Sequence, residues 1–409
     1  MTLETRRLDE VISTLIDYRG KTPTKTDSGV RLITAKVIKD GFINESSFEF
    51  IAEDEYDTWM RRGLPQQWDI VITTEAPMGE VAQLRTAERV ALAQRVILLR
   101  ADPQVMDQNF LFHALKSPFV RAELSRRATG TTVLGVKQSE LRQIRIPYYS
   151  LHVQRHLAGI LSAYDNLIEN NTKRIKILEE MARSLYREWF VHFRFPGHEM
   201  TMLVDAPGGK IPKGWESCRL GDLVEETREA VDPSTMDPAM PYFGLEHLPR
   251  RSIALGTWGT AGEVQSTKLH VRVDDILFGK IRPYFHKVGV TPVGAVCSSD
   301  TIVMRVKSSE HFGTVLCCVS SDDFVAHATR TSQGTKMPRA SWDVLRKYPI
   351  ALAPPRLLVR FNEIIVDSVQ LIHRLVLKNR SLATSRDLLL PRLISGEIDV
   401  SSLPLPPAA

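Results

Sequence analysis

The chain has 409 residues, of which 43% are hydrophobic and 25% charged. That length predicts two to four domains, and the apolar content excludes a disordered tail, a collagen or a disulfide-stapled miniprotein. Basic residues outnumber acidic ones 53 to 48, and the net +5 permits a nucleic-acid partner without demanding one.

The opening segment, MTLETRRLDEV, lacks the apolar core of a signal peptide, and no apolar run reaches membrane-spanning length. Cys218, Cys297, Cys317 and Cys318 form no C-x-x-C pair, so reduced thiols in a cytoplasmic protein are expected. Arg7-Leu8 begins a short amphipathic stretch. Asp69-Ile70-Val71 and Arg95 to Arg100 read as buried strands from length and β-branched content. Residues 121–147 gather Arg121, Arg126, Arg127, Lys137, Arg142 and Arg145 around the turn GTTVLGVK.

A heptad stripe follows: Leu157, Leu161, Tyr164, Ile168, Asn171, Ile175, Leu178, Ala182, Leu185 and Trp189 alternate steps of four and three. It predicts a helix of roughly 50 Å with one face for a partner helix. Pro196-Gly197 and the run from Asp205 to Pro212 read as a linker.

The second half repeats the first. Gly130-Thr131, Leu141-Arg142, Ile146, Ile160, Leu167-Ile168, Leu178 and Leu185 recur 204 residues later, as Gly334-Thr335, Leu345-Arg346, Ile350, Ile364, Leu371-Ile372, Leu382 and Leu389. Upstream, Arg219-Leu220 matches Arg7-Leu8. Asp275-Ile276-Leu277 matches Asp69-Ile70-Val71, Pro283 matches Pro77, and Asp300 to Arg305 matches the second strand. Residues 327–347 again gather basic side chains around a turn, GTKMPRAS. The second helix carries Phe361, Ile365, Ile372, Leu375, Leu382, Leu389 and Leu393, and Pro391 predicts its end or a bend. The two helices are expected to pair antiparallel with each other. Asn171 and Asn379 fall on the seam, either fixing its register or forming a wet layer.

Catalytic signatures are missing. No G-x-G-x-x-G follows a strand, no Asn-Pro-Pro-aromatic tetrad occurs, and Gly20-Lys21-Thr22 lacks the glycine that a phosphate loop needs five residues before it. His152 and His156 lack a third metal ligand and are expected to face solvent. The pairs Asp274-Asp275 and Asp322-Asp323 read as solvated carboxylates. No catalytic or metal site is expected.

Candidate nucleic-acid contacts are Arg19, Lys21, Thr22, Glu75, Gly130, Thr131 and Lys137 in the first half. Lys280, Arg282, Tyr284, Gly334, Thr335, Lys336 and Arg339 are those of the second. Glycine lets backbone approach a phosphate, Thr, Lys and Arg donate to phosphates and guanine edges, and Glu accepts from cytosine.

This layout resembles the specificity subunit of type I restriction–modification systems over nearly the whole chain. The carriers are the duplication, IPKGWESCRLGDLV (211–224), the Asp275-Ile276-Leu277 strand with Arg282-Pro283, the GTK turn at Gly334, the helix from Leu151 to Phe190, and above all LLLPRLISGEI (388–398). The first half departs from the pattern at Gly130-Thr131-Thr132, where the lysine is absent and Lys137 stands nearby, and it lacks the Ile-Pro-x-Gly-Trp opening.

The resemblance implies an α/β (α+β) chain with two target-recognition domains, 1–148 and 213–350. Spacer helices at 149–195 and 351–397 form an antiparallel coiled coil, with a linker at 196–212 and a tail at 398–409. It implies a non-catalytic subunit that reads a split site on double-stranded DNA and docks two modification subunits, which bind S-adenosylmethionine and methylate adenine. Motor-nuclease subunits then use ATP and magnesium. The partner-helix seam would be Leu157, Leu161, Ile168, Ile175, Leu178 and Leu185 against Phe361, Ile365, Ile372, Leu375, Leu382 and Leu389. The competing expectations are a coiled-coil scaffold and a self-contained DNA-modifying enzyme.

Overall fold

The computed structural model describes residues 3–18, 22–44, 48–206 and 209–400. The chain forms two compact units, Met1–Asn166 with Ala383–Ala409, and Leu167–Leu382.

The first unit is built on an antiparallel sheet of β1 (Ile12–Asp17), β2 (Ile70–Thr73), β3 (Val81–Gln83) and β4 (Val96–Ala101), in the order β1-β4-β2-β3. Side chains alternate across a strand, so each strand feeds two cores. Ile70, Ile72, Ile97 and Leu99 pack with Phe110 and Leu111 of α1 (Gln108–Lys116) and Val120 and Leu124 of α2 (Pro118–Arg127). Val71 and Leu98 enter a second core with Leu32, Ala91 and Leu92 from a three-stranded sheet. In that sheet Val30–Ile33 lies antiparallel to Glu49–Ile51 and parallel to Val90–Leu92. The first turns of α3 (Leu151–Tyr186) bury Leu157, Ala158 and Leu161 in the helical core.

The second unit repeats this plan. Its sheet holds β5 (Val224–Thr227), β6 (Ile276–Gly279), β7 (Val288–Val290) and β8 (Thr301–Val306), in the order β5-β8-β6-β7. Ile276, Phe278, Ile302 and Met304 pack with Val315 of α4 (Phe312–Val319) and Phe324 of α5 (Asp322–Arg330). Leu277 and Val303 face the other core. The helix entries match as well: the Ser117 hydroxyl accepts from Val120 N–H, and the Ser321 hydroxyl from Phe324 N–H. The outer sheet differs, having five strands in place of three.

Each sheet is pinned by the same buried ion pair. Arg100 Nε and Nη2 both lie 2.7 Å from the Asp69 carboxylate, which also accepts from Gln66 N–H. Arg305 grips Asp275 in the same way at 2.8 and 2.7 Å, and Asp275 accepts from Arg272 N–H. Asp275 is therefore buried, and only Asp274 of that acidic pair is solvated.

The long helices meet with opposite sense inside each unit. In the second, α6 (Pro355–Ile394) places Phe361 4.7 Å from Phe190 and Ile372 against Ile175, while Asn171 donates to Asn379 at 2.8 Å. Asn379 in turn donates to the Ile168 carbonyl and the Thr172 hydroxyl, each at 3.3 Å. In the first, Asp165 meets Arg386 at 2.5 Å, and Leu157 and Leu161 share a core with Leu390 and Leu393. Phe361, Ile365, Ile372 and Leu375 are buried, while Ile168, Leu178, Leu185, Leu382 and Leu389 are half-buried.

Of the local expectations, the solvent-facing His156 is corrected and two others gain detail. The second helix passes Pro391 and ends at Ile394; one missing N–H bond is offset by burial of Leu390, Leu393 and Ile394 around it. The glycine- and proline-rich stretch assigned to the linker contains paired strands, Leu203–Ala206 against Gly209–Pro212. His156 is buried, its imidazole 2.9 Å from the His152 carbonyl, because it shares the helix face of Leu157 and Gln154; His152 alone is exposed.

Candidate nucleic-acid interface

Two loops meet at one end of the central sheet in each unit. In the first, the chain leaves β2 through Thr74, Glu75 and Ala76, and the segment 129–135 closes beside it. Thr129 N–H donates to the Gly135 carbonyl at 2.8 Å, and Gly135 N–H returns the bond at 2.9 Å. Val136 N–H donates to the Thr74 carbonyl at 3.0 Å, and Thr74 N–H to the Arg95 carbonyl at 3.0 Å.

The second unit repeats the circuit. Gln333 N–H donates to the Arg339 carbonyl at 3.0 Å, and Arg339 N–H to Gln333 at 2.8 Å. Ala340 N–H donates to Lys280 at 2.9 Å, and Lys280 N–H to Asp300 at 2.8 Å. Ala76 and Arg282 occupy the same place, and both have positive φ, 49° and 50°. Gly130 and Gly334 open the two segments at φ 119° and 100°. At Gly130 a Cβ would lie 2.2 Å from the Val133 carbonyl oxygen, so glycine is required there.

The candidates gathered from separate stretches of sequence thus converge. Glu75, Val133, Gly135 and Lys137 line one cleft of about 320 Å³ with Thr74, Gln94 and Arg95. Thr22 joins its rim, with its hydroxyl 3.3 Å from the Gln94 side-chain oxygen. Thr131 stands exposed on the loop. Arg19 and Lys21 lie outside the described residues.

In the second unit Arg282 N–H donates to the Pro338 carbonyl at 2.8 Å, joining the two loops. Thr335, Lys336 and Arg339 are exposed, and Tyr284 is 51% exposed. Lys280 is half-buried, its ammonium 3.0 Å from the Ser299 carbonyl, and burial lowers its pKa.

Two side chains are less available than their residue types imply. Glu75 holds Arg95 at 2.7 Å, and Arg339 lies 3.5 Å from Asp300. Arg95 and Asp300 occupy equivalent positions at the start of β4 and β8, so the charge there is reversed and its partner comes from the other loop, Arg339 in place of Glu75. Neither Arg95 nor Asp300 was singled out from the sequence; each opens a matched strand, and its role depends on the loop folded against it. The flanking basic residues are also partly neutralised, with Arg126 on Glu123 at 2.8 Å and Arg127 3.5 Å from Glu140.

A second polar cluster was not foreseen. Asp165 is fully buried on α3, with Arg386 at 2.5 Å, Lys116 at 3.6 Å and His113 at 4.0 Å. Burial alone would raise the Asp165 pKa, but the charges of Lys116 and Arg386 hold it below the usual range. Burial pushes His113 down to about 3, against the pull of Asp165, so the imidazole is neutral. Among the described residues, no three His, Cys, Asp or Glu side chains are placed to hold a metal ion. No described helix is long and apolar enough to cross a membrane.

Fold and site together define an internally duplicated α/β protein with one loop cluster per half. Residues 2–180 match the family model described as type I restriction modification DNA specificity domain. The chain is 26% identical over 350 residues to the type I restriction enzyme MjaIX specificity subunit of Methanocaldococcus jannaschii, covering 82% of this chain and 78% of that one. It is 28% identical over 134 residues to the MjaVIII specificity subunit of the same organism, covering 33% of this chain and 30% of that one. Its fold is similar to the crystal structure of a type I restriction–modification system S subunit from M. genitalium, with TM-score 0.56, 15% identity and 96% of each chain covered. Its first half thus carries a match to the type I specificity domain, and most of its length is similar to a type I specificity subunit.

Proposed function

We propose that this chain is the non-catalytic DNA-reading subunit of a type I complex, each unit contacting one half of a split site. The observation that carries this reading is the recurrence of one loop circuit with different outward side chains. Duplicated backbone with divergent donors is what a chain needs to read two different half-sites on one duplex. The long helices would set the unread gap of several base pairs. α3 alone has 36 residues, roughly 54 Å at 1.5 Å per residue, against about 34 Å for one DNA turn.

On this reading the chain holds no cofactor. Two modification subunits would dock on the helical regions, bind S-adenosylmethionine and methylate adenine in each half-site. Restriction subunits using ATP and magnesium would complete the complex in the cytoplasm. The recognition domains would occupy 1–148 and 213–350.

The test is methylome sequencing of a host without other adenine methylases, co-expressing this chain with its modification subunit. A split motif methylated in both halves is expected. A continuous motif would remove the two-domain reading, and no new methylation from a soluble, associated complex would remove DNA recognition. Lengthening both helices in phase should widen the gap; an unchanged gap would defeat the spacer role.

A further inference from the structure

The apex of each loop exposes a large apolar residue at the same position. Counting from the bridges at Thr129 and Gln333, the fifth residue is Val133 in one loop and Met337 in the other, 53% and 51% exposed. Leu134 follows Val133 at 55%. A single exposed apolar side chain is ordinary on a protein surface. Two at equivalent apices are not explained that way, because the same loops differ at neighbouring positions: Thr132 stands where Lys336 does, and Gly135 where Arg339 does.

The apices are also held rigid. Each loop is closed by a reciprocal pair of backbone bonds between its ends and tied to the neighbouring loop by a further one. A left-handed glycine sets the turn at its start. The side chain is thus presented in a fixed place, with little ordering left for a partner to impose. Lys137 lines the cleft beside Val133, while exposed Lys336 and Arg339 flank Met337.

We infer that Val133 and Met337 make apolar contacts to DNA bases, while the lysines and arginine around them meet phosphates. This rests on the DNA-reading function proposed above and assigns the part of it that salt does not control. A duplex offers two apolar surfaces to such a residue, the thymine methyl in the major groove and the face of an opened base step. An aliphatic or thioether side chain on a rigid loop with a cation nearby suits both.

The experiment uses the full chain assembled with its modification subunits. The probe is a duplex carrying the site that the wild-type complex selects from a random-sequence library. Val133→Ser and Met337→Ser are each expected to weaken binding roughly tenfold, with the slope of log affinity against log salt unchanged. Val133→Met should retain affinity, since the other half uses methionine there. Replacing thymines singly by deoxyuridine distinguishes the two surfaces. A loss at one thymine that the serine variant no longer shows identifies the methyl. No loss at any thymine, with binding of the serine variant improved by a mismatch that eases unstacking, identifies the base step. Wild-type affinity in a serine variant overturns the inference for that half and leaves the proposed function standing. Loss of modification-subunit association in a serine variant assigns the apex to protein contact and overturns it too. Failure of the wild-type complex to select any duplex defeats the DNA reading itself.

Discussion

The loop clusters of the two units share a backbone circuit and differ in the side chains it presents. Thr74, Glu75 and Arg95 in one correspond to Lys280, Ile281 and Asp300 in the other, and the local ion pair changes from Glu75–Arg95 to Arg339–Asp300. Backbone geometry and surface chemistry are therefore separable. The glycines, the bridges and the strand ends specify where the loops stand, and the residues between them vary without disturbing that frame. A duplicated chain presents two different surfaces in this way while keeping one solution to the folding problem.

The buried ion pairs sharpen this comparison most. Arg100 has both guanidinium arms on Asp69, and its further acceptor is the Leu64 carbonyl at 3.3 Å. Arg305 also reaches Glu229 at 2.9 Å. Asp69→Ala strands a largely buried charge and is expected to cost about 3 kcal/mol. Asp275→Ala leaves Arg305 with Glu229 and is expected to cost about half as much. Urea denaturation of the two variants measures the difference, and equal losses would show that Glu229 does not substitute.

Acid should separate the units next. The first buries His113 in α1, where the second has Cys317 in α4. Burial holds His113 at about 3, below its ordinary 6.5. The unfolded chain takes up this proton as pH falls through 6.5, and the folded chain does not until about 3, so stability declines as pH falls through that window. At pH 5 the decline is about 2 kcal/mol. Asp165 does not offset it, because stability from a depressed carboxylate is lost only at lower pH. His113→Gln should flatten the dependence of the first unit between pH 7 and 5, read by hydrogen exchange in α1. An unchanged slope would place the acid sensitivity elsewhere.

These residues also show what the sequence disclosed. Asp69 and Asp275 were visible as matched positions, as were Arg100 and Arg305, because both begin or close strands of one apolar pattern. That they pair required the strand order, in which β4 lies beside β2 with Leu99 opposite Ile70. The heptad stripe was legible because burial repeats every turn of a helix. Asp165 was not: an aspartate beside such a stripe looks solvated until Arg386, 221 residues away, is brought onto it. The glycine loops were legible as a repeated pair. Their contact with the Thr74 and Lys280 strand ends was hidden, since backbone bonds between distant segments leave no side-chain signature.

The glycines themselves differ in strictness. A methyl at Gly130 would meet the Val133 carbonyl at 2.2 Å, whereas at Gly334 it would lie 3.3 Å from the Met337 carbonyl. Gly130→Ala must move backbone, at a cost of about 1–2 kcal/mol, and on the proposed function should abolish methylation of its half-site more fully than Gly334→Ala does of the other. Equal effects on the two half-sites would mean that the first loop reshapes freely.

The smallest effect tests whether one charge is carried by different residues in the two halves. Lys336 sits near the apex of its loop, where the first unit has Thr132, and Lys137 instead follows that loop and lines the cleft. If both lysines meet phosphates, Lys336→Ala and Lys137→Ala should each reduce the slope of log affinity against log salt by about one and weaken binding uniformly across sequences. A change confined to one base position would make the lysine a base reader, since direct readout is specific and phosphate contact is not. If Lys336→Ala lowers the slope and Lys137→Ala does not, the cleft lysine serves the loop and not the duplex. The first unit would then hold its half-site with one cation fewer, and its methylation should fade at lower salt than that of the second.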